Sequence, residues 1–264
     1  MFSPSDHTFV LCAYGESPYL EECLSSLMAQ TTRTNVLMAT STPNDRIRAV
    51  ASGSGVPLFV NPDGPGIASD WNFAISCATT PLVTVAHQDD TYAPAYAEHA
   101  LKGMGRAQRP LIFFTNYGEI RNGEEVNDNR LLSIKRRLLR PMAKADGISD
   151  SLRTKRRILS LGSSICCPSV TLNLPALPSP PFRAGMKSDL DWDAWERFSR
   201  LDGSFVYDPE ILMHHRIHEG SETSALIKDN TRTHEDLEML KRFWPSPVAH
   251  FINLIYSQGQ KSNG

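Results

Sequence analysis

An alternation in the first half of the chain limits the fold more than any other feature. Short apolar, β-prone runs at Thr8 to Tyr14, Asn35 to Thr40, Pro57 to Val60, Pro81 to Ala86 and Leu111 to Thr115 are separated by segments of helical pattern. Between the first two runs, Leu20, Cys23, Leu24, Leu27 and Met28 recur at the i, i+3, i+4, i+7, i+8 spacing of a buried helical face. Ser17 and Pro18 stand ahead of it as cap and first helical residue. Further helices are predicted over Asn44 to Ala51 and, with Ser69 as cap, over Ser69 to Ala78. Strands alternating with helices build an α/β fold whose mainly parallel sheet is covered on both faces. Ligands of such sheets gather at the carboxyl ends of the strands. The tetrapeptide His87, Gln88, Asp89, Asp90 follows the fourth run and falls on that edge.

Composition excludes several classes. At 264 residues the chain is one enzyme-sized unit with appendages. A formal net charge of -2 gives no global reason to expect nucleic acid as partner. The five cysteines, Cys12, Cys23, Cys77, Cys166 and Cys167, are odd in number and lie mostly in apolar runs, which suits reduced core thiols. Neither a basic, apolar leader nor a bilayer-spanning apolar run is present, so a cytoplasmic protein is expected, soluble or attached to the inner face of the plasma membrane. Oligomeric state is not legible.

The middle differs in character. Between Arg130 and Ile158, ten Lys and Arg side chains are interleaved with leucine and isoleucine, against only Asp146 and Asp150. One or two basic amphipathic helices are predicted, with either a solvated outer face or peripheral contact with an anionic membrane surface. "SSICCPSVTLNLPALPSPPF" reads as a strand and a proline-rich loop, and helices are predicted over Ser188 to Arg200 and His234 to Trp244. "VAHFINLIY" is apolar enough to pack on the domain, a second subunit or lipid.

Four constellations can carry chemistry. Asp89 and Asp90 at a strand end suit a hard divalent cation that bridges nucleotide phosphates, or else cap the next element through an Asx turn. In "KSDLDWDAWERF", Ser188 and Asp191 fit a capping box and Trp192, Trp195 and Phe198 recur at threes for packing; an ionised Asp there can also act as a general base. His214, His215, Arg216 and His218 combine metal-type ligands with a phosphate fork, or are structural. Gly64 and Gly66 form a turn that exposes amides to an anion or simply turns the chain. Dinucleotide and P-loop glycine patterns are absent.

In order, "FVLCAYGESPYLEECLSSLMAQT", "PLVTVAHQDDTY", "KSDLDWDAW" and "HHRIHEGSETS" resemble the family 2 glycosyltransferases of the GT-A fold, and most closely their bacterial capsule, cell-wall and lipid-linked polysaccharide members, including those of streptococci. The resemblance implies a GT-A-like, Rossmann-like domain over residues 1–225, with the basic helical insertion at 130–158 and a C-terminal helical extension over 226–264. It further implies an inverting, metal-dependent hexosyltransferase acting on a nucleotide-sugar donor, a UDP-sugar foremost, and a glycan or lipid-linked acceptor. By position, Asp89 binds Mg or Mn with Asp90 supporting or sharing the ion and His218 completing the set; Asp191 is the catalytic base. Ala13, Tyr14, Thr40 and Ser41 border the nucleotide with Asp70 and Asn72 close by, and His87, Gln88, Trp192 and Arg216 join the substrate-binding set.

Three departures from the family pattern stand out. His87 replaces the first acid of D-x-D, "TSTPN" replaces the acidic stretch whose carboxylate meets a uracil ring, and Trp71 replaces an arginine. Two other readings keep some of these features: a sugar-phosphate nucleotidyltransferase, which lacks its glycine-rich basic loop here, and an inactive, membrane-associated nucleotide-sugar-binding scaffold.

Overall fold

The computed structural model describes residues 1–218 and 231–261, with side chains up to residue 255 of the last helix. The strands are β1 (His7–Ala13), β2 (Asn35–Thr40), β3 (Leu58–Val60), β4 (Leu82–His87), β5 (Thr91–Tyr92), β6 (Pro110–Arg121), β7 (Glu124–Val126), β8 (Ile148–Ser149), β9 (Val170–Asn173) and β10 (Ser204–Ile217). The helices are α1 (Leu20–Met28), α2 (Asp45–Ser54), α3 (Ile67–Ser76), α4 (Tyr96–Arg106), α5 (Arg130–Leu138), α6 (Arg140–Ala143), α7 (Leu152–Leu159), α8 (Leu190–Ser199), α9 (Thr231–Lys241) and α10 (Ser246–Lys261).

Along the sheet the order is β3-β2-β1-β4-β9-β6-β10-β5. Strands β3, β2, β1 and β4 are mutually parallel, as the alternation with helices requires. The sheet is mixed beyond them: β9, the strand expected in the Cys166 region, runs antiparallel to both β4 and β6. Because β9 opposes both neighbours, β4 and β6 point the same way, and β10 runs parallel to β6. The long strands therefore deliver their carboxyl ends to one rim.

Period-two alternation divides the core between two faces. Val10, Ile112 and Phe114 join α3, α7 and α8 on one face, while Phe9, Leu11 and Phe113 join α1, α2 and α4 on the other. Met239 and Leu240 of α9 and Ala249 of α10 belong to the first of these cores. In α8, Trp192, Trp195 and Phe198 are each at most 1 % exposed. Burying one such side chain stabilises by about 1.5–3 kcal/mol, which seats this helix firmly on the sheet.

The basic segment forms α5, α6 and α7. Leu132, Leu139, Met142, Ile158 and Leu159 turn inward. Lys155 is itself buried and donates to the Leu201 and Gly203 carbonyls, while Arg156 pairs with Glu196 of α8. Much of the apolar stripe is thus occupied inside the protein. In α10, Ala249 and Asn253 are buried whereas Val248, Phe251, Leu254 and Ile255 are exposed.

Several predicted boundaries are corrected. Helix α1 begins at Leu20 and its N-cap position, Tyr19, makes no side-chain cap bond; ahead of it the Ser17 hydroxyl accepts the Tyr19 N–H at 3.2 Å and donates to Asp89 at 2.7 Å. Helix α3 starts at Ile67 after Gly66, so Ser69 lies inside it and accepts a bond from Asn61. The capping box expected from Ser188 and Asp191 does not form: the N-cap position is Asp189, and Asp191 accepts from the adjacent Trp192 N–H.

Candidate active site

Parallel register places Cys12 beside His87 and Ala13 beside Thr40, so the ends of β1, β2 and β4 meet at the rim. Gly15 follows β1 with φ +58, a left-handed conformation that favours glycine. Its N–H donates to Thr42 Oγ1 and its carbonyl accepts from Asn44 Nδ2, tying the first two strand ends together. Gln88 bonds both ways to the backbone of Tyr14, at 2.9 and 2.8 Å. Ala13 and Thr40 are buried beneath this edge, and Tyr14 is exposed. Asp70 accepts from Ser41, Asn61 and the Gly66 N–H, and organises the neighbouring corner. Asn72 is bound on both faces of its amide to the backbone of Phe182.

After His87 the chain turns and pairs as β5 with β10, which brings the two carboxylates against the histidine cluster. Asp90 is fully buried. Its Oδ1 accepts from His215 Nδ1 at 2.9 Å and from the Arg216 N–H at 3.0 Å, while Oδ2 is buried without a hydrogen-bond partner. Burial alone would raise the Asp90 carboxyl, but the His215 charge and hydrogen bond, with help from His87 and Arg216, bring it below its ordinary value. His215 shows the reciprocal effect: burial works against its cation, yet Asp90 holds the imidazole above its ordinary value.

Asp89 is more open, with its side chain 24 % exposed. Its Oδ1 accepts from Ser17 at 2.7 Å and its Oδ2 lies 3.2 Å from His218 Nε2. Arg216, expected to meet substrate phosphate, is instead only 7 % exposed in its side chain and donates to the Asp89 carbonyl and to Glu22 while lying over the Tyr19 ring. Among the described residues no group of three or more His, Cys, Asp or Glu is arranged to hold a metal ion. A nucleotide-bound Mg or Mn takes only one or two protein carboxylates, with phosphate oxygens and water completing its shell. Asp89 with His218, backed by the unpartnered Asp90 oxygen, fits that requirement.

Two of the departures noted in the sequence are in contact. His87 stacks on Trp71 with ring centroids 4.9 Å apart, Trp71 meets Phe182 at 5.0 Å, and Phe182 meets Trp195 of α8 at 6.1 Å. This aromatic chain links the carboxylate turn to the helix bearing Asp191. Burial and then the charge of Asp191 hold the buried Cys167 thiol well above its usual range.

Asp191 sits in the first turn of α8 and keeps a partly exposed edge. Burial pushes its carboxyl up to about 6, against the Trp192 N–H and the charges of Lys135 and Arg232. Trp192, placed with the substrate-binding residues on sequence, is corrected: it is fully buried and donates its indole N–H to the Leu159 carbonyl. Ionic contacts brace α8, since Asp193 meets Arg197 at 2.9 Å and Arg242 at 2.6 Å.

Sequence reasoning assigned no site role to Ser17, Tyr19, Glu22, Lys135 or Phe182, and named His215 only within the histidine cluster, with no tie to Asp90. A Ser-Pro pair resembles a cap, and no local pattern reports a partner 72 residues away, as Asp89 is from Ser17. Residues 219–224 of the "HHRIHEGSETS" stretch lie outside the described residues.

Comparison with solved structures finds the same fold in other proteins. S. aureus TarS 1-349 in complex with UDP-GlcNAc is 17 % identical, with a TM-score of 0.61 over 94 % of this chain and 70 % of that one. The mannosyltransferase PcManGT from Pyrobaculum calidifontis, in complex with GDP-Man and Mn2+, is 13 % identical, with a TM-score of 0.61 over 97 % and 70 %. Glucosyl-3-phosphoglycerate synthase from Mycobacterium tuberculosis, in complex with Mn2+, UDP and glucosyl-3-phosphoglycerate, is 15 % identical, with a TM-score of 0.57 over 90 % and 80 %. These identities speak for the fold alone. No curated protein matches the sequence. No helix among the described residues is long and apolar enough to cross a membrane. The model of the Glycosyl transferase family 2 matches residues 8–159, more than half the sequence and the whole stretch from β1 through the carboxylate turn to α7, and the chain belongs to that family.

Proposed function

We propose that the protein is an inverting, metal-dependent glycosyltransferase that moves a hexose from a nucleoside-diphosphate sugar to a hydroxyl of a glycan or lipid-linked acceptor, in the synthesis of a bacterial surface polysaccharide or glycolipid. A UDP-sugar is the first donor to test, because two of the three compared structures hold UDP or UDP-GlcNAc. The observation that carries the reading is the turn after β4, where Asp89 meets Ser17 and His218 and Asp90 is held by His215 and the Arg216 N–H, with a second carboxyl, Asp191, raised by burial at the start of α8. The aromatic chain from His87 to Trp195 links the turn to that helix.

In this reading Asp89 and His218 hold the cation, which when bound offsets charge on the departing diphosphate. Asp90 stays inside the turn and fixes it through His215 and the Arg216 N–H. Ser17 orients Asp89. Asp191 takes the proton from the acceptor hydroxyl as its oxygen attacks the anomeric carbon. The new carbon–oxygen bond forms as the bond to the diphosphate breaks, and the electron pair leaves with the diphosphate. A raised carboxyl is a better proton acceptor near neutrality than an ordinary aspartate, while still ionised there.

The test is a thermal-shift screen of nucleotide sugars with and without Mn, followed by an assay of nucleoside diphosphate release. A ligand that binds the folded state raises Tm. A rise for one nucleotide sugar that requires Mn, followed by release of its diphosphate, supports the reading. Pyrophosphate release from a nucleoside triphosphate and a sugar phosphate overturns it in favour of nucleotidyl transfer, and binding without turnover on a broad acceptor panel favours a scaffold.

A further inference from the structure

Helix α8 lacks its own cap. Its N-cap residue, Asp189, makes no side-chain cap bond, is 2 % exposed, and has Oδ2 buried without a hydrogen-bond partner. Burial and the nearby Asp236 carboxyl push Asp189 well above the usual carboxylate range, toward the neutral form, which serves a helix N-terminus poorly. Capping comes from another helix instead. Glu235 of α9 accepts the Lys187 N–H on both carboxylate oxygens at 2.9 and 3.1 Å, the Ser188 N–H at 2.7 Å and the Asp189 N–H at 3.1 Å. Three successive amides entering α8 thus converge on one carboxylate 46 to 48 residues further along the chain.

That carboxylate has a firm base. Met239 and Leu240, one turn beyond Glu235, are buried in the core that also receives Trp192 and Trp195. Just past α9, Arg242 reaches Asp193 of α8 at 2.6 Å. The start of α8 is therefore tied to α9 and the residue after it at two places, residues 187–189 and Asp193, and the amides preceding Asp191 are held from outside their own helix.

We infer that Glu235 is a positioning residue for transfer: by capping α8 from α9 it fixes the direction in which Asp191 meets the acceptor hydroxyl. The inference rests on the reading of Asp191 as the base. Among the described residues no hydrogen bond joins Glu235 to the carboxylate turn or to Asp191, so its loss acts on the proton-accepting side and leaves the cation side intact.

The experiment uses the full chain and four variants: Glu235→Ala, Glu235→Gln, Asp191→Asn and the Glu235→Ala/Asp191→Asn double variant. Diphosphate release is measured with the nucleotide sugar that shifts Tm most in the screen above, in Mn, with donor binding and backbone hydrogen exchange followed in parallel. Glu235→Ala is expected to lower kcat about tenfold, the scale of losing hydrogen bonds to a charged acceptor, with donor KM changed less than about twofold. Glu235→Gln keeps one acceptor oxygen and restores part of the rate. Amides of residues 187–189 exchange faster in Glu235→Ala while those of β4 do not. In the double variant the Glu235 effect disappears, because a mispositioned base that is already removed costs nothing more. If Glu235→Ala is too unstable to purify, the kcat against KM split of Glu235→Gln decides. The inference is overturned if Asp191→Asn abolishes turnover but neither Glu235 variant changes kcat per folded enzyme, or if the Glu235 and Asp191 losses multiply. Full turnover in Asp191→Asn overturns the base assignment instead, a result the Glu235 variants cannot mimic.

Discussion

Asp90 and Asp191 carry the same side chain, yet their environments move them in opposite directions. Each is surrounded by protein, and burial raises both carboxyls. At Asp90 the His215 imidazole and the Arg216 N–H outweigh burial and the charge is kept. At Asp191 the Trp192 N–H, the charges of Lys135 and Arg232 and its own backbone N–H do not, and the carboxyl settles at about 6. A buried carboxylate with direct donors is a fixed part of the architecture, whereas one with few donors is ready to exchange a proton. Substitution to asparagine, which mimics the neutral acid, tests this contrast.

The largest expected effect is on catalysis. Asp191→Asn removes the proton acceptor and should lower kcat by about 10²- to 10⁴-fold with donor binding nearly unchanged, as read from steady-state rates and donor titration. An equal loss of donor affinity would place Asp191 on the donor side and break the contrast.

Next in size is stability at Asp90. Asp90→Asn leaves the His215 imidazole facing a neutral partner in a buried site, and losing one partner of a buried pair costs about 3–5 kcal/mol. Urea unfolding should show this as a large drop in midpoint. The corresponding change at Asp191 should have the opposite sign. A folded-state pKa raised from 3.8 to about 6 favours folding below the unfolded value, and that contribution is lost as pH rises through about 6. At pH 7 the native chain holds an ionised group that prefers to be neutral, so Asp191→Asn should stabilise it by about 1–2 kcal/mol, discounting for the partly exposed edge. Destabilisation by both substitutions would show that Asp191 is a structural acid like Asp90.

The pH profile sharpens the same point. Activity requires ionised Asp191, so kcat should fall about tenfold per pH unit below an apparent pKa near 6 and level off above it. Activity therefore rises across the range in which this group's contribution to stability declines. An acid limb that persists in Asp191→Asn would assign the titration to another group.

Much of this fold is written in local pattern. The apolar runs that became β1, β2 and β4 lie within a residue or two of their final limits, and the stripe of Leu20, Cys23, Leu24 and Leu27 became the buried face of α1. Strand β10 escaped notice because its register with β6 shifts around Asp208 to Ile211, where Pro209 and Glu210 interrupt any alternation. Without that strand, His215 and Arg216 had no visible tie to Asp90, 125 and 126 residues earlier. Trp192 was misplaced for a simpler reason: a residue next to Asp191 on a helix points about 100° away from it, into the core. The cap from Glu235 had no local trace at all, since its bonds end on amides that every residue possesses.

The smallest expected effect concerns the bond that sequence reading assigned to a helix cap. Ser17 donates to Asp89 Oδ1 at 2.7 Å while His218 faces Oδ2 at 3.2 Å, so the two partners hold the carboxylate in one orientation. Ser17→Ala removes one of them at a partly exposed site, a loss of about 1 kcal/mol, or roughly fivefold in a binding constant. Were Ser17 a cap, that energy would be lost from folding, and the metal dependence of turnover would stay put. Because it holds Asp89, the loss should appear as a several-fold rise in the Mn concentration giving half-maximal rate, with kcat at saturating Mn and the pH limb of Asp191 both unchanged. A lowered Tm with an unmoved Mn midpoint would return Ser17 to a role in the fold and leave Asp89 oriented by His218 alone.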